Sequence, residues 1–489
     1  MSDRPATDGT VSLSEPRGRW VLLTTVLGSS VALLDATVVN IALPRLGSDL
    51  HAGFSGLQWT VNGYTLTLAS FILLGGSLGD RYGRRRVFVI GAVWFAVASA
   101  LCGLAPNVEL LVAARLLQGV GGALLTPGSL ALIQASFRQE DRGRAIGAWS
   151  GLGGIAAAIG PFVGGTLVEI SWRLVFFINL PLCLIVVLVA TRHVPESRNT
   201  DMDRRLDLAG AAVGAVGLAG LTFALVGAGD QGASARVLAA GLLGVLGLVG
   251  FVVVERRSSH PMLPVDLFSS RQFTAANLVT FAVYAALSGV FFLLVIELQV
   301  VAGYSPLAAG VSVLPVTVAM LLLSSRAGDL AAKIGPRVPM TVGPVLCACG
   351  TLLMLRIRPG ASYVTDVLPG VLVFGLGLSA TVAPLTVTVL SAASTRYAGV
   401  ASGVNNAVAR TAGLLAVAVL PVAAGLHGRD YLDPGAFAHG FRIAMLISSA
   451  LLLLGGLIAA ATISDDEVRG RQAVPVPQTT CQVDGPSID

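Results

Sequence analysis

The sequence predicts an all-α membrane protein with about fourteen spanning helices. It has 489 residues, of which 54% are hydrophobic and 12% are charged, whereas a soluble domain carries about 25% charged residues. The hydrophobic residues gather in runs of about 20 residues, the length that a helix needs to cross a bilayer. The 58 glycines suit helices that pack closely within a membrane. These observations exclude a chain of soluble domains.

The apolar runs give the helices in chain order. We expect them at about 20–43, 57–77, 87–105, 108–134, 144–168, 174–191, 207–228, 236–254, 273–299, 306–325, 338–356, 364–391, 399–424 and 440–462. The polar N-terminal segment does not resemble a cleavable signal peptide, so the first run is expected to remain as a membrane anchor. The polar, proline-containing segment 464–489 is predicted to be disordered.

The basic residues predict the orientation, because cytoplasmic loops of membrane proteins are rich in Lys and Arg. With the N-terminus placed in the cytoplasm, 23 of the 32 basic residues fall in cytoplasmic segments. Arg115 and Arg410 lie within helices, and seven residues fall on the other side: Arg45, Arg173, Arg236, Arg356, Arg358, Arg429 and Arg442. Both termini are therefore predicted to lie in the cytoplasm.

An internal repeat divides the chain into two halves. The segment GSLGDRYGRRR follows the second run, and GDLAAKIGPRV follows the tenth, with Ala332 where the first copy has Asp80. The copies align without gaps at their glycines and basic residues: Gly76 with Gly328, Arg81 with Lys333, Gly83 with Gly335 and Arg85 with Arg337. Two helices are therefore expected between two parallel six-helix halves. The predicted divisions are a tail 1–18, a bundle 19–200, inserted helices 201–258, a second bundle 259–463 and a tail 464–489.

A carboxylate within the first run, Asp35, is the most informative single residue. An acid at the centre of a spanning helix costs about 2.5–3.5 kcal/mol and usually marks an ion path or relay. Asp35 lies nine residues before Pro44, and Arg115 lies nine residues after Pro106, so both are about 13 Å from the same membrane face. We expect them to form a pair. The pair is either a static link between helices 1 and 4 or part of a proton relay, and the two interpretations are compatible.

Two glycine-rich motifs predict moving parts. In GGSLGDRYGRRR, the glycines permit a tight turn, Asp80 is expected to bond a helix N-terminus or a basic neighbour, and the arginines hold the loop in the cytoplasm. The predicted loop residues are Gly76, Asp80, Arg81, Gly83, Arg84 and Arg85. In GPFVGG of helix 5, a proline kinks the helix and glycines let another helix approach, which favours either close packing or a flexing contact. These residues are Gly160, Pro161, Gly164 and Gly165.

The remaining polar residues within the runs are candidates for a cavity that holds a substrate. They are Asn62, Tyr64, Gln118, Glu297, Asn405, Asn406 and Arg410. Glu297 lies near the outer end of helix 9 and is expected to reach water. The two asparagines of helix 13 suit either interhelical hydrogen bonds or a cavity wall. Arg410 has no acid on its own helix, so it is expected to face a wet cavity, pair elsewhere or bind an anionic group.

Enzymatic and nucleic-acid functions are not indicated. The chain lacks G-x-x-x-x-G-K-[ST], H-E-x-x-H and G-x-S-x-G. No two cysteines have metal-ligand spacing, and the five histidines fall in predicted loops. The net charge of +5 comes from short clusters between apolar runs rather than from a basic patch with aromatic residues. We therefore expect no metal, no cofactor and no nucleic acid.

Several motifs together resemble the major facilitator superfamily, and within it the fourteen-helix drug:proton antiporters. They are LDATVVNIALP, QWTVNGYTL, GSLGDRYGRRR, ARLLQGVGGALLTPGSLALI, GPFVGG, WRLVFFINLP and GVASGVNNAVARTAG. The resemblance implies two six-helix bundles with two extra helices and proton-coupled export by alternating access. It assigns proton coupling to Asp35 and Arg115, a cytoplasmic latch to the loop around Asp80, and gating to Gly160 and Pro161.

The resemblance also sets the expected partners: a small amphiphilic molecule, protons and membrane lipids, for a monomer in the bacterial cytoplasmic membrane. Two positions depart from the family pattern. Ala156 stands where helix 5 often has glycine, and helix 13 lacks the acids that help some relatives to bind dications. A neutral, monocationic or anionic natural product is therefore expected equally. The alternatives are an exporter or importer of an endogenous metabolite, or a membrane receptor that transports nothing.

Overall fold

A computed structural model describes residues 11–198, 207–258, 261–392 and 398–465. Within them, fourteen helices are long and apolar enough to cross a membrane, which confirms the predicted number. We number them α1 (Pro16–Asp49), α2 (Phe54–Tyr82), α3 (Arg84–Leu104), α4 (Val108–Ser136), α5 (Gln139–Ile170), α6 (Leu174–His193), α7 (Leu208–Gln231), α8 (Ala235–Arg257), α9 (Arg271–Val300), α10 (Pro306–Ile334), α11 (Arg337–Arg356), α12 (Tyr363–Ser391), α13 (Ala398–Ala423) and α14 (Pro434–Thr462). Residues 1–10 and 466–489, which belong to the two predicted tails, lie outside the described residues.

Most helices extend beyond the apolar runs that predict them. Helix α1 continues through Pro44 to Asp49, six residues past its predicted end, and α14 begins at Pro434 rather than near residue 440. Hydropathy defines only the apolar part of a helix, so the predicted helix ends at the first polar residues. The backbone hydrogen bonds of the helix continue beyond that point, as far as a capping residue. Asp433 provides such a cap for α14, because its Oδ1 accepts from the amides of Gly435 and Ala436.

The helices form two bundles and a separate hairpin. Helices α1–α6 pack with one another, and so do α9–α14. The hairpin α7–α8 packs its two helices tightly together and rests against α2 and α13, one helix from each bundle. Glycines allow this close approach: a Cβ on Gly217 would lie 2.7 Å from the backbone nitrogen of Leu248. The inserted hairpin thus has a close-packed core of its own.

The repeated motifs form the same turn in both bundles. Gly83 separates α2 from α3 with φ +113°, and Gly335 separates α10 from α11 with φ +95°. Residues with a side chain rarely adopt such backbone angles. The glycines of the repeat are therefore explained by backbone geometry. We call the end of the molecule that carries these two turns the arginine-rich end, and the other the opposite end.

Hydrogen bonds between the two bundles cluster at the opposite end. The amide of Phe54 donates to Gly428 O at 2.6 Å, and Gln299 Nε2 of α9 donates to Ile41 O of α1 at 3.0 Å. The segment 424–433, which we call the strap, crosses from α13 to α14 at this end. Its Tyr431 hydroxyl donates to Ala52 O in the other bundle at 2.8 Å. The bundles are thus joined at the opposite end.

Towards the arginine-rich end, the space between the bundles widens. Among the glycines, contacts between the bundles extend to Gly403 of α13 against Leu73 of α2, and to Gly154 of α5 against Leu321 of α10. Further along α5, open space surrounds the glycines at 143, 147 and 151, where a Cβ would meet nothing within 4 Å. The described conformation is therefore closed at the opposite end and more open at the arginine-rich end.

Candidate functional site

Asp35 lies at the centre of a buried polar network in the first bundle. Only 1% of its surface is exposed. Its Oδ2 accepts from Arg115 Nη1 at 2.5 Å, and its Oδ1 accepts from Gln118 Nε2 at 2.8 Å and from Asn179 Nδ2 at 3.1 Å. The structure therefore contains the predicted pair of Asp35 with Arg115. Its role in proton coupling remains a prediction.

The Arg115 guanidinium is held on several sides. Its Nε donates to Thr60 O of α2 at 2.9 Å, and its Nη1 also donates to Gln118 Oε1 at 2.6 Å. Its carbon lies 4.6 Å from the ring centre of Tyr64 and 5.8 Å from that of Phe176, so two aromatic faces stabilise the cation. The arginine is as deeply buried as its partner.

A serine on α3 completes the network. Ser99 Oγ accepts from Gln118 Nε2 at 3.2 Å and from Asn179 Nδ2 at 2.9 Å, and it donates to Phe176 O at 2.9 Å. Five of the six helices of the first bundle, all except α5, therefore meet around Asp35. Sequence reasoning missed Ser99 and Asn179. Asn179 lies within WRLVFFINLP, one of the motifs that resemble the superfamily. Nothing in that motif indicates that Asn179 contacts Asp35.

The chemical consequence is that one proton on Asp35 would affect three helices. Each Asp35 oxygen serves as a hydrogen-bond acceptor for donors from α4 or α6. Protonation would remove the negative charge opposite Arg115 and turn one acceptor into a donor. A buried cation without its partner is costly. A change of protonation would therefore favour a different arrangement of α1, α4 and α6.

The loop around Gly83 is tied to the end of α6. Asp80 Oδ1 pairs with Arg84 Nε at 2.9 Å, so it bonds a basic neighbour, one of the two predicted outcomes. Arg85 Nη1 donates to Val194 O at 3.0 Å, and Glu196 accepts from the backbone amide of Arg85 at 3.1 Å. These contacts lie within the first bundle. A latch between the bundles remains a prediction.

The remaining loop residues do not make equivalent contacts. The guanidinium of Arg81 lies 5.3 Å from the ring centre of Tyr82. Gly76 lies on the side of α2 that faces α4, where a Cβ would meet Pro127 at 3.6 Å. Gly76 thus belongs to helix packing within the bundle rather than to the turn.

The helix 5 motif lies against both α1 and the second bundle. A Cβ on Gly160 would approach Leu34 at 3.1 Å, and one on Gly164 would approach Val38 at 2.8 Å. Gly165 faces α10, where its Cβ would lie 3.0 Å from Leu307 N. Pro161 O lies 2.6 Å from the Cβ position of Gly310 in α10. The motif therefore forms a close contact between the bundles, and a flexing role remains a prediction.

The predicted cavity residues fall in different places. Gln118 and Tyr64 belong to the Asp35–Arg115 network. Asn405 Nδ2 donates to Thr280 Oγ1 of α9 at 2.7 Å, and to Asn277 Oδ1 at 3.2 Å, which is the interhelical alternative. Asn406 is exposed and donates to Ser402 O. Arg410 is partly exposed on α13.

Three of these residues have buried side-chain atoms without hydrogen-bond partners, and one of these atoms is the hydroxyl oxygen of Tyr64. Asn62 on α2 is fully buried, and neither atom of its amide has a partner. Glu297 is 1% exposed, and neither carboxyl oxygen has a donor. The expectation that Glu297 reaches water is wrong. It failed because α9 lies inside the second bundle, so a position near the end of the helix is still covered by its neighbours. Among the described residues, no three His, Cys, Asp or Glu side chains come together as metal ligands would.

Sequence comparison places the chain in a family. The sequence pattern of the Major Facilitator Superfamily matches residues 25–418. The chain belongs to this superfamily. It is 35% identical to the puromycin resistance protein pur8 of Streptomyces alboniger, over 91% of each chain. It is 36% identical to the probable actinorhodin transporter of Streptomyces coelicolor, over 86% of this chain and 75% of the relative. It is also 35% identical to the multidrug resistance protein Stp of Mycobacterium tuberculosis, over 82% and 74%.

Solved structures share the fold at low sequence identity. An inward-facing bacterial homologue of the human lysosomal transporter Spinster aligns with a TM-score of 0.66 at 17% identity, over 92% of this chain and 97% of that one. A D-xylose–proton symporter aligns with a TM-score of 0.65 at 15% identity, over 92% and 99%. Because the chain belongs to this superfamily, it is a transporter rather than an enzyme. With its fourteen spanning helices, it is a multi-pass protein of the cytoplasmic membrane.

Proposed function

We propose that the protein exports a small amphiphilic drug or antibiotic in exchange for protons, by alternating access between its two bundles. The observation that carries the proposal is the burial of Asp35 against Arg115, Gln118 and Asn179. A carboxylate in a membrane helix usually marks an ion path or relay. Relatives named for resistance to puromycin and for several drugs support the substrate class.

The shape of the described conformation fits one half of an export cycle. The bundles touch at the opposite end and leave open space at the arginine-rich end, which the predicted topology places in the cytoplasm. In this conformation a cytoplasmic molecule would enter between the bundles. A ligand shifts a conformational equilibrium only by its different affinity for the two states. We therefore expect a proton that reaches Asp35 from outside to release the substrate or to favour the return to the inward-facing conformation.

The test is transport by purified protein in proteoliposomes with an imposed proton gradient. Asp35→Asn should lose uphill export while retaining substrate exchange down its own gradient, because the neutral amide cannot release a proton. Glu109→Gln, which changes an exposed acid on α4, serves as the matched control and should transport as the wild type does. Uphill export by Asp35→Asn at normal abundance would contradict the proposal. A panel of antibiotics and metabolites in the same vesicles separates drug export from metabolite transport.

A further inference from the structure

Glu297 is an acid that the Asp35 network does not use. It lies on α9, three residues before the helix ends at the opposite end. Both carboxyl oxygens lack a donor, although the residue is 1% exposed. An ionised carboxylate in such a place would be far more costly than a neutral carboxyl group, and buried acids without partners take up a proton instead. Burial without a partner therefore favours the neutral carboxyl group in the described conformation.

The packing of α9 against α14 shows which residues lie at the level of Glu297. Gly455 of α14 lies beside Ala282 of α9, and Ser448 lies beside Gly289. This antiparallel register places Glu297 level with Gly440, next to Phe441, and both residues are buried near the start of α14. Arg442, next to Phe441 on α14, has an exposed side chain and forms no ion pair with Glu297 among the described residues.

Other ionisable groups at this end are engaged elsewhere or exposed. Asp49 of α1 accepts from Trp172, Asp430 of the strap pairs with His427, Tyr431 donates to Ala52 O, and Asp366 of α12 accepts from the amide of Ser362. The helices packed against α9 also carry the exposed Arg45 of α1 and His439 and Arg442 of α14, and the hydroxyl of Tyr304, which follows α9, donates to Ala361 O. On α13 the ionisable side chain is Arg410, which lies further from this end. None of them bonds the Glu297 carboxyl group.

An aromatic residue of the other bundle packs between α9 and α14 at the end of α9 that carries Glu297. The Phe54 ring, at the start of α2, lies 6.0 Å from Phe292 of α9 and 6.3 Å from Phe437 of α14. Phe437 is one turn before Phe441, and Phe292 is five residues before Glu297. Phe54 also lies 6.3 Å from Tyr431 of the strap. The cover over the groove between α9 and α14 is therefore built from both bundles, and it cannot remain in place when they separate at this end.

We propose that Glu297 is a second proton-binding site, filled and emptied from the opposite end as the bundles close and open there. This inference rests on the proposed alternating-access function. The closed conformation holds one proton on Glu297, and separation of Phe54 and the strap admits water, so that the carboxyl group ionises. The proton enters and leaves on the same side. It therefore couples closure to pH at that face without adding to the number of protons that cross the membrane.

The sign of the pH effect follows from proton binding. The closed conformation binds one more proton than the open one, so lower pH favours closure and higher pH favours opening. A single linked proton changes the ratio of open to closed protein by up to about tenfold per pH unit.

The experiment is amide hydrogen exchange of the strap, read by mass spectrometry on the full-length protein over a pH series and corrected for intrinsic exchange. In the wild type, exchange in residues 424–433 should rise by up to about tenfold per pH unit. Glu297→Gln should abolish this slope and keep the strap protected. Glu169→Gln, which changes an exposed acid of α5 at the same end, should keep the wild-type slope. A flat wild-type profile, or a slope that persists in Glu297→Gln, would overturn the proposal.

Two further measurements keep the test decisive. Phe54→Ala should also flatten the slope, because it hydrates Glu297 in the closed state, and adding Glu297→Gln to it should change nothing more. The proton-to-substrate ratio, measured from reversal potentials in proteoliposomes, should be the same in Glu297→Gln and in the wild type. A ratio lower by one would mean that Glu297 carries a proton across, which would overturn same-side exchange. Wild-type transport without proton flux would refute the proposed function but would leave the exchange profile unchanged.

Discussion

Glu196 and Asp465 hold equivalent positions in the two bundles. Glu196 follows α6 and accepts from the backbone amide of Arg85 at the start of α3, while Asp465 follows α14 and accepts from the amide of Arg337 at the start of α11. The arginine side chains repeat the pattern, because Arg85 donates to Val194 O and Arg337 to Ala460 O. Each bundle thus joins the end of its last helix to the turn that carries the repeated glycine.

Two structural features favour glycine in each turn, and both predict that substitution lowers the stability of the folded protein. A Cβ on Gly83 would lie 2.7 Å from Glu196 Oε1, and one on Gly335 would meet the Asp465 side chain. Both backbones have positive φ. Gly83→Ala and Gly335→Ala should each lower the free energy of unfolding by about 1–3 kcal/mol, measured by denaturant titration in detergent. Gly143→Ala, in a helix beside open space, should be neutral or stabilising, and equal effects at all three sites would contradict this explanation.

The acidic caps should matter through charge as well as through hydrogen bonds. Glu196 accepts from the amides of Arg85 and Arg86 at 3.1 and 3.2 Å, where the helix dipole of α3 favours a negative group. Glu196→Ala should lower the stability of the folded protein by about 1 kcal/mol. Glu196→Gln should lower it by less, and the difference between the two variants should shrink at high salt. Thermal unfolding at two salt concentrations measures both effects, and Glu169→Ala provides an exposed acid as the control.

The sequence predicts the number of helices well, because membrane spans are defined by a property of composition that needs no knowledge of packing. The pairing of Asp35 with Arg115 is also predictable, since equal distances from one membrane face bring the two residues to the same depth. The turn glycines, Gly83 and Gly335, are predictable because a repeated motif reports a shared backbone geometry.

The rest of the site depends on how helices rotate and pack, which periodicity alone does not give. Ser99 and Asn179 complete the Asp35 network, but their helices could have faced elsewhere without any change in hydropathy. Glu297 shows the same limit. Its depth along α9 was predicted, but its burial depends on α14 and on Phe54, which is distant in the chain. For Asn405, the sequence allows either an interhelical hydrogen bond or a place in a cavity wall. The structure decides between them, because Thr280 of α9 lies beside it.

The Asp35–Arg115 pair should show strong energetic coupling. Arg115→Met leaves a buried carboxylate without its cation and should cost about 3–5 kcal/mol of stability. The double variant with Asp35→Asn should cost clearly less than the two single variants together, because neither charge is then left alone. A double-mutant cycle from denaturant titration measures the coupling, expected at about 0.5–3 kcal/mol or more. If the losses of stability in the two single variants add up to that of the double variant, the two charges are stabilised independently. That result would contradict the direct contact between Asp35 and Arg115.

Gln58 replaces a hydrogen bond that a proline removes in the other bundle. Pro421 of α13 has no amide hydrogen, so the carbonyl of Val417, four residues earlier, lacks its usual helical donor. Gln58 Nε2 of α2 donates to this oxygen at 2.7 Å, and to Ala418 O at 3.1 Å. The contact crosses between the bundles at the closed end. It therefore stabilises the closed conformation in particular.

This arrangement predicts a rescue that ordinary packing would not produce. Gln58→Leu should destabilise the closed conformation by about 1–3 kcal/mol, because Val417 O is left buried without a donor. Adding Pro421→Ala restores the helical donor and should recover much of that loss, whereas Pro421→Ala alone should gain little, because Gln58 already serves the carbonyl. Hydrogen exchange of the strap reports the closed fraction in all four proteins. If Pro421→Ala fails to rescue Gln58→Leu, the side chain acts through packing, and the account of the missing helical hydrogen bond is wrong.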